Sequence, residues 1–294
     1  MPDSNDVHVD QEVIDAIGSL GNRTRLEIML ALAEAERAHR TQSYTMSFTD
    51  LYRAVDVEST SQFSYHLTQL VDGFVAETED GYHLTYAGNK VVRAVLSGSY
   101  ESAPDFGTVE VAGVCVFCGE ASLVATQDDD LLVVRCTACD SPLVTDSLSR
   151  SQARNRTPLE IVASSGYRIW GSAVQLRGDV CPECHGRVET VLEEHELDGR
   201  STHLLVSTCP ECWLVLRLPL EVAAAFHPAA IGFFWDHGVS LFDLTLWELL
   251  EYVTSGALVA EVESIDPAAA TIELTLDEET LRLRVDESLT ITPA

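Results

Sequence analysis

All eight cysteines of the 294-residue chain fall in C-x-x-C pairs: Cys115/Cys118, Cys136/Cys139, Cys181/Cys184 and Cys209/Cys212. Two intervening residues put both thiolates on one tight turn, where they share a tetrahedral metal at ~2.3 Å per metal–sulfur bond. Two pairs close a four-thiolate shell, and a closed shell holds structure rather than substrate. The accounting predicts two structural zinc ions. One belongs to Cys115-x2-Cys118-x17-Cys136-x2-Cys139 and one to Cys181-x2-Cys184-x24-Cys209-x2-Cys212, both with zinc-ribbon spacing. Rubredoxin-like iron is the competing metal, but it usually takes a glycine after each pair. Only Cys118 is followed by one; Asp140, His185 and Trp213 stand at the equivalent places. A disulfide framework is disfavoured in a reducing cytoplasm.

Such knuckles need strands to carry them. Alternating apolar and polar residues predict strands over 131–135, 187–192 and 203–207. Thr157-Pro158-Leu159-Glu160 combines a cap, a first-turn proline and a returning glutamate, which predicts a helix of about two turns ending near Ser164. Residues 218–253 read as helical: Pro228 opens one helix, closed at Gly238, and Thr245-x-x-Glu248 caps another. His227, Asp236 and His237 read there as capping and packing groups rather than a metal or catalytic dyad. Residues 257–264, 271–276 and 281–285 read as a small antiparallel β-meander.

Ahead of the cysteines, residues 11–98 read as helices with one hairpin. Helices are predicted over 13–20, 24–35, 48–55, from Ser59 onward, and over 87–96. In the second, Leu26, Met29, Leu30 and Ala33 recur at helical spacing. Residues 37–46 read as a polar loop and 56–58 as a turn. Ser59-x-x-Gln62 is a capping box, Phe63, Leu67 and Leu70 form the buried stripe, and Gly73 ends the helix. Segments 75–78 and 82–85 flank Asp80-Gly81, a strong hairpin signal. Residues 99–112 read as a linker or an incoming strand. Opposite its stripe the fourth helix offers Ser61, Gln62, Ser64, Tyr65, His66 and Gln69, the composition wanted in a major groove. Glutamine bonds an adenine edge bidentately, and serine takes either sense. Tyr82 and His83 on the hairpin would reach a neighbouring groove, and Arg53 and Lys90 the phosphates.

The phrases LGNRTRLEIMLALAEA, SFTDLYRAVDV, STSQFSYHLTQLVDGFV and AETEDGYHLTYAGNKVV resemble the ArsR-type winged helix-turn-helix of haloarchaeal regulators. The likeness covers roughly residues 12–98. It implies a recognition helix using Ser64 and His66 toward DNA with Leu67 in the core, and a homodimer formed through the first and last helices. The family's metal-sensing cysteines are absent from 48–55, which argues against toxic-metal sensing there. The remainder resembles a haloarchaeal architecture of zinc ribbons followed by an HPAAIGFFWDHG helix.

Charge agrees with such a source. There are 47 acids against 18 bases, net −29, and Lys90 is the single lysine. The excess is spread: −8 over 1–100, −9 over 101–219 and −12 over 220–294. One acidic tail would suggest a basic partner. A uniform excess almost without lysine matches proteins of salt-accumulating archaea, whose carboxylates keep surfaces hydrated in concentrated salt. Apolar residues make up 46%, too many for a disordered chain. The most apolar uncharged run, 222–235, is shorter than the ~20 residues of a membrane span. The polar, acidic N-terminus lacks a signal-peptide pattern, so the expected location is cytoplasmic. The glycosylation patterns at Asn22 and Asn155 then mean nothing. No P-loop, dinucleotide glycine motif, Gly-x-Ser-x-Gly or His-Glu-x-x-His occurs, so the chain reads as a non-enzyme.

The fold class expected is α+β and multidomain. Residues 1–98 form a winged helix-turn-helix, 99–150 a first zinc ribbon, and 151–217 a linking helix and second ribbon. Residues 218–294 form a helical segment and β-meander serving a transcription-machinery or small-molecule partner. The function expected is sequence-specific binding of double-stranded DNA as a transcriptional regulator. Three alternatives stand: a factor like the alpha subunit of archaeal general transcription factor E, a zinc-ribbon adaptor, and an iron electron-transfer protein. The acidic DNA-binding portion opposes the basic character usual in such proteins. Cation uptake by carboxylates near phosphates in molar salt is the resolution offered.

Overall fold

The computed structural model describes residues 9–101, 106–197 and 200–294. The acidic run 1–8 and the 102–105 part of the expected linker lie outside the described residues. The chain divides into two compact units, Met1–Ser102 and Ala103–Ala294. Both mix helices with antiparallel sheet, so the fold is α+β.

The first unit runs α1 (Gln11–Ser19), α2 (Arg23–His39), α3 (Phe48–Ala54), α4 (Thr60–Thr68), β1 (Val75–Thr78), β2 (Gly81–Leu84) and α5 (Tyr86–Ser97). Each helix after the first starts on a side-chain cap. Asn22, Ser47, Ser59 and Thr85 accept from the backbone N–H three residues on, which satisfies one otherwise orphaned donor per helix. Ile28, Met29 and Leu32 of α2, Leu51 of α3, and Phe63 and Leu70 are wholly buried together. Each such side chain contributes ~1.5–3 kcal/mol of burial. The hairpin pairs Val75 with Leu84 and Thr78 with Gly81. The polar loop before α3 joins it: Met46 N–H donates to Tyr82 O and Tyr82 N–H to Met46 O, both at 2.9 Å. Gly81 makes that approach possible. Its φ is +128°, and a Cβ there would lie 2.2 Å from Met46 O.

The second unit contains three antiparallel sheets. The first is β3 (Val109–Val111), β4 (Leu123–Asp128), β5 (Leu131–Cys136) and β6 (Pro142–Ser147), paired in chain order. Helices α6 (Arg150–Asn155) and α7 (Pro158–Leu176) follow, then the sheet β7 (Glu189–Leu197), β8 (Arg200–Thr208) and β9 (Val215–Pro219). Next come α8 (Leu220–Ala225), α9 (Pro228–Asp236), a 3-10 turn at Leu241–Asp243 and α10 (Leu246–Thr254). A four-stranded meander closes the chain: β10 (Leu258–Ile265), β11 (Ala268–Leu276), β12 (Glu279–Val285) and β13 (Ile291–Pro293).

Several expectations change here. The helix expected to stop near Ser164 continues to Leu176. Ser164, Ser165 and Gly166 look like stop signals, but packing overrides them. Ser165 is buried and its hydroxyl donates to Val162 O at 2.7 Å, while Gly166 lies against the Leu246 backbone at the start of α10. Strand β3 falls in the segment read as a linker or an incoming strand, whereas β4, β6, β9 and β13 have no counterpart in the sequence reading; their alternation is short and interrupted by small or polar residues. The fourth helix ends at Thr68 with Gln69 as its cap, before Gly73. Finally, the three segments read separately after residue 98 share one core. Val111, Leu132, Trp170, Leu220, Phe234, Trp247, Ile272 and Leu283 belong to the same buried cluster.

Candidate functional site: two tetracysteine centres and a polar helix face

The first centre draws Cys115 and Cys118 from the turn between β3 and β4, and Cys136 and Cys139 from the turn between β5 and β6. Register does the positioning: Leu123 of β4 pairs with Cys136 of β5, which brings the two turns side by side. All four sulfurs lie within 4.8 Å of one another. Cys115 Sγ is 3.7 Å from Cys139 Sγ, and Cys118 Sγ is 3.6 Å from Cys136 Sγ. A tetrahedral shell with ~2.3 Å bonds separates its sulfurs by ~3.8 Å, so the donor set fits one zinc-sized ion.

The second centre is built alike. Cys181 and Cys184 precede β7, and Cys209 and Cys212 occupy the β8–β9 turn. Cys181 Sγ lies 3.6 Å from Cys212 Sγ, and Cys184 Sγ 3.5 Å from Cys209 Sγ, again all within 4.8 Å. The expected pairing of knuckles within each module is the one observed. Two tetracysteine clusters, each able to hold one metal ion, are thus part of the fold.

The knuckles share a backbone device that residue type hid. The residue after each second cysteine is left-handed: Gly119 at φ +79°, Asp140 at +59°, His185 at +64° and Trp213 at +62°. That turn lets Gly119, His185 and Trp213 N–H groups donate to the carbonyls of Cys115, Cys181 and Cys209, at 2.8, 2.9 and 2.9 Å. Amides also reach the sulfurs: Phe117 N–H donates to Cys115 Sγ and Gly186 N–H to Cys184 Sγ, both at 3.4 Å.

The thiols are not equivalent. Burial pushes Cys115 up to about 12. The Ser141 hydroxyl, 3.3 Å from Cys139 Sγ, and the Ser141 N–H draw Cys139 down to about 7. Burial opposes ionisation of Cys181, but the N–H groups of Cys184 and Glu183 outweigh it and bring that thiol to about 7. Each cluster therefore offers one readily formed thiolate at neutral pH, the species that ligates metal.

In the first unit, α4 keeps Phe63, Leu67 and Leu70 buried and exposes Ser61, Gln62, Ser64, Tyr65 and Gln69. Tyr65 is 60% exposed and available for contact. Only half of the expected capping box forms: Ser59 Oγ accepts from Gln62 N–H at 3.3 Å. The Gln62 side chain has no hydrogen-bond partner among the described residues and stays free. His66 is a correction. It faces inward with 9% exposure, its ring packs edge-on against Tyr65, and its buried Nδ1 lacks a partner. The fourth-helix stripe is one residue wider than the apolar pattern shows, because positions 63, 66, 67 and 70 share the inward face.

The hairpin residues are less free than expected. The Tyr82 hydroxyl donates to Glu77 at 2.7 Å, and burial, reinforced by Glu77, pushes the phenol up to about 12. His83 is half-buried with a buried, unpartnered Nδ1. Arg53 is exposed, 3.9 Å from Asp50, and the Lys90 ammonium sits 5.7 Å over the Tyr86 ring. The capping reading in the second unit holds: His227 Nδ1 accepts from Ala229 N–H at 3.1 Å, and His237 Nδ1 lies 2.8 Å from Phe233 O at the other end of α9.

Among the described residues, no helix is long and apolar enough to cross a membrane. No curated protein and no solved structure matches the chain significantly. A family model described as a domain of unknown function, DUF7347, matches residues 13–95, within the first unit. A second, described as a domain of unknown function, DUF7351, matches residues 112–291. That match takes in both cysteine clusters and strands β4 to β12, more than half of the sequence, and the chain belongs to the DUF7351 family.

Proposed function

We propose that the protein is a sequence-specific, double-stranded-DNA-binding transcriptional regulator and not an enzyme. Its first unit is read as a winged helix-turn-helix of the ArsR type, and its cysteine clusters as zinc ribbons holding two structural zinc ions. One observation carries the reading: α4 follows α3 through a short turn and presents five exposed polar or aromatic side chains over a fully buried stripe, with Gln62 unpartnered. A major groove is read by such a face. A merely solvated face in a chain of net −29 would be expected to carry carboxylates, and α4 has none.

Exposed Val13, Ile14 and Ile17 on α1, which buries no residue, and Leu96 on α5 supply apolar surface for a homodimer reading two half-sites about one helical turn apart. The second unit is read as the partner or effector module, and the host as a halophilic archaeon with the protein in its cytoplasm.

The test is a binding isotherm in molar KCl against a promoter fragment and a scrambled control, on the full zinc-loaded chain. Gln62→Ala or Tyr65→Ala should weaken specific binding by ~1–3 kcal/mol per lost base contact, with an unchanged circular dichroism spectrum. Light scattering on the same sample should give a dimer mass. A triple variant Gln62→Ala/Ser64→Ala/Tyr65→Ala that still discriminates the promoter as the parent does would sink the reading and favour the adaptor.

A further inference from the structure

The second unit encloses a cavity of about 340 Å³ that the metal centres do not use. Its walls come from the end of α7, strands β7, β8 and β9, helix α8 and the turn before β13. No stretch of sequence announces it.

Leu176, Leu205, Leu218, Leu289 and Ile291 give the cavity an apolar body. Its one positively charged lining residue is Arg177. The guanidinium is held by a bond to the Phe226 carbonyl, and no carboxylate lies within ion-pair distance of it among the described residues. The acidic lining residue, Asp179, is 3.9 Å from Arg187 instead. The neighbouring cap His227 is held toward its neutral form by burial and by the charge of Arg177, so it adds no second cation.

Hydroxyls complete the polar end. Thr190 Oγ1 and Ser207 Oγ are 2.8 Å apart; their shared bond uses one proton and leaves one O–H to donate. Ser288 and Thr290 are satisfied within their own turn: Ser288 donates to Asp286 at 2.7 Å and lies 2.9 Å from Thr290 Oγ1. The wider cleft of about 590 Å³ beside β6 and β9 lacks such a feature, because its arginine, Arg168, already meets Asp146 at 3.2 Å.

We propose that this cavity binds a small organic carboxylate: the anionic head meets Arg177 and the Thr190/Ser207 hydroxyl pair, and a short branched apolar body lies against Leu205, Leu218 and Leu289. The size fits a ligand of a few heavy atoms, at the lower end of small-molecule sites. The inference deepens the effector role proposed for this unit and rests on it only for its regulatory meaning. Binding is read without DNA, so its failure leaves the DNA reading standing.

The experiment is calorimetric titration of the full zinc-loaded chain in molar KCl with 3-methylbutanoate, with its amide, and with inorganic phosphate. The carboxylate should saturate in the ~0.1–5 mM range. The amide and phosphate should each bind at least about tenfold more weakly, the first lacking charge and the second lacking the apolar body. Arg177→Gln should weaken the carboxylate at least about tenfold, and Arg177→Lys should recover part of the loss. Ala223→Leu, which fills the cavity, should abolish binding at an unchanged melting temperature, and it carries the test if Arg177→Gln fails to fold. No saturable heat by ~20 mM, equal binding of acid and amide, phosphate as tight as the carboxylate, or wild-type binding by Ala223→Leu would each overturn the proposal.

Discussion

The two cysteine clusters have the same ligands and nearly the same sulfur separations, yet they sit in opposite settings. In the first, Cys115 and Cys136 belong to the large core of the second unit, and Cys118 and Cys139 are half-buried against it. In the second, Cys181 and Cys209 form a small apolar cluster with Val188, Leu176 and Leu214 among the described residues, while Cys184 and Cys212 are exposed. Hydrophobic burial supports the first cluster whether or not a metal is bound. The knuckles of the second have few apolar contacts, and there a bound metal would have to act as the core, as in other small modules where binding and folding are coupled. Identical coordination chemistry thus makes unequal contributions, set by what surrounds it.

Metal removal tests this contrast most severely. Elemental analysis of native protein should give about two zinc and little iron per chain. A chelator should strip the second cluster first, about tenfold faster, because its exposed thiolates open locally without unpacking the core. Cys209→Ser should lose one ion and the hydrogen-exchange protection of the two knuckles around Val188 and Leu214, while the main core, with Leu192 of β7 in it, survives. Cys136→Ser should lose one ion and destabilise the whole second unit by at least ~3 kcal/mol, since it places a hydroxyl in a sheet core as well. Equal release rates, or global unfolding by Cys209→Ser, would break the comparison; a red protein with stoichiometric iron would remove zinc from it altogether.

Backbone strain sharpens the contrast at a smaller scale. The first cluster spends its left-handed positions on Gly119 and Asp140, residue types that tolerate them; the second uses His185 and Trp213. Trp213→Gly and His185→Gly should stabilise the second ribbon by ~0.5–1 kcal/mol each, measured by denaturant unfolding. Asp140→Gly should gain less. A loss at Trp213 would mean that its exposed indole contributes contacts that outweigh the strain.

The smallest effect is on pH. His227 caps α9, whose Ala230 and Phe234 lie in the core that backs the first cluster. Burial, and then the charge of Arg177, lower its pKa below 6.5. The unfolded chain therefore binds the proton more readily. The stabilisation is complete above the unfolded value and is lost as pH falls through the folded one. Melting temperature of the main core should decline with acid in that window. His227→Asn, which keeps an acceptor for the cap without titrating, should flatten the decline. An unaltered slope would assign it to other groups.

Much of the site was legible because its signals are local. C-x-x-C puts two thiolates on one turn whatever lies around it, and the caps at Thr157 and Thr245 work within four residues; both boxes form as read. Proline at the first position of α7 and α9 and Asp80-Gly81 at the hairpin are equally self-contained. Where the expectation failed, a distant partner made the decision. His66 is polar by type but lies inward because the helix it belongs to packs over α2 and α3. The helix from Pro158 runs on past Ser165 and Gly166 because α10 needs a close neighbour there.

By itself, the sequence determined the eight cysteines and their grouping into two clusters, the order of the N-terminal helices and hairpin, and an acidic chain almost without lysine. These follow from short-range geometry and composition. Tertiary structure alone decided that the three segments after the first unit share one core, that one cysteine cluster is packed into that core while the other has a small cluster of its own, and that Arg177 lines a cavity with no carboxylate at ion-pair distance among the described residues. Each of these is a matter of which residues far apart in the chain exclude water from one another, and no local pattern encodes that.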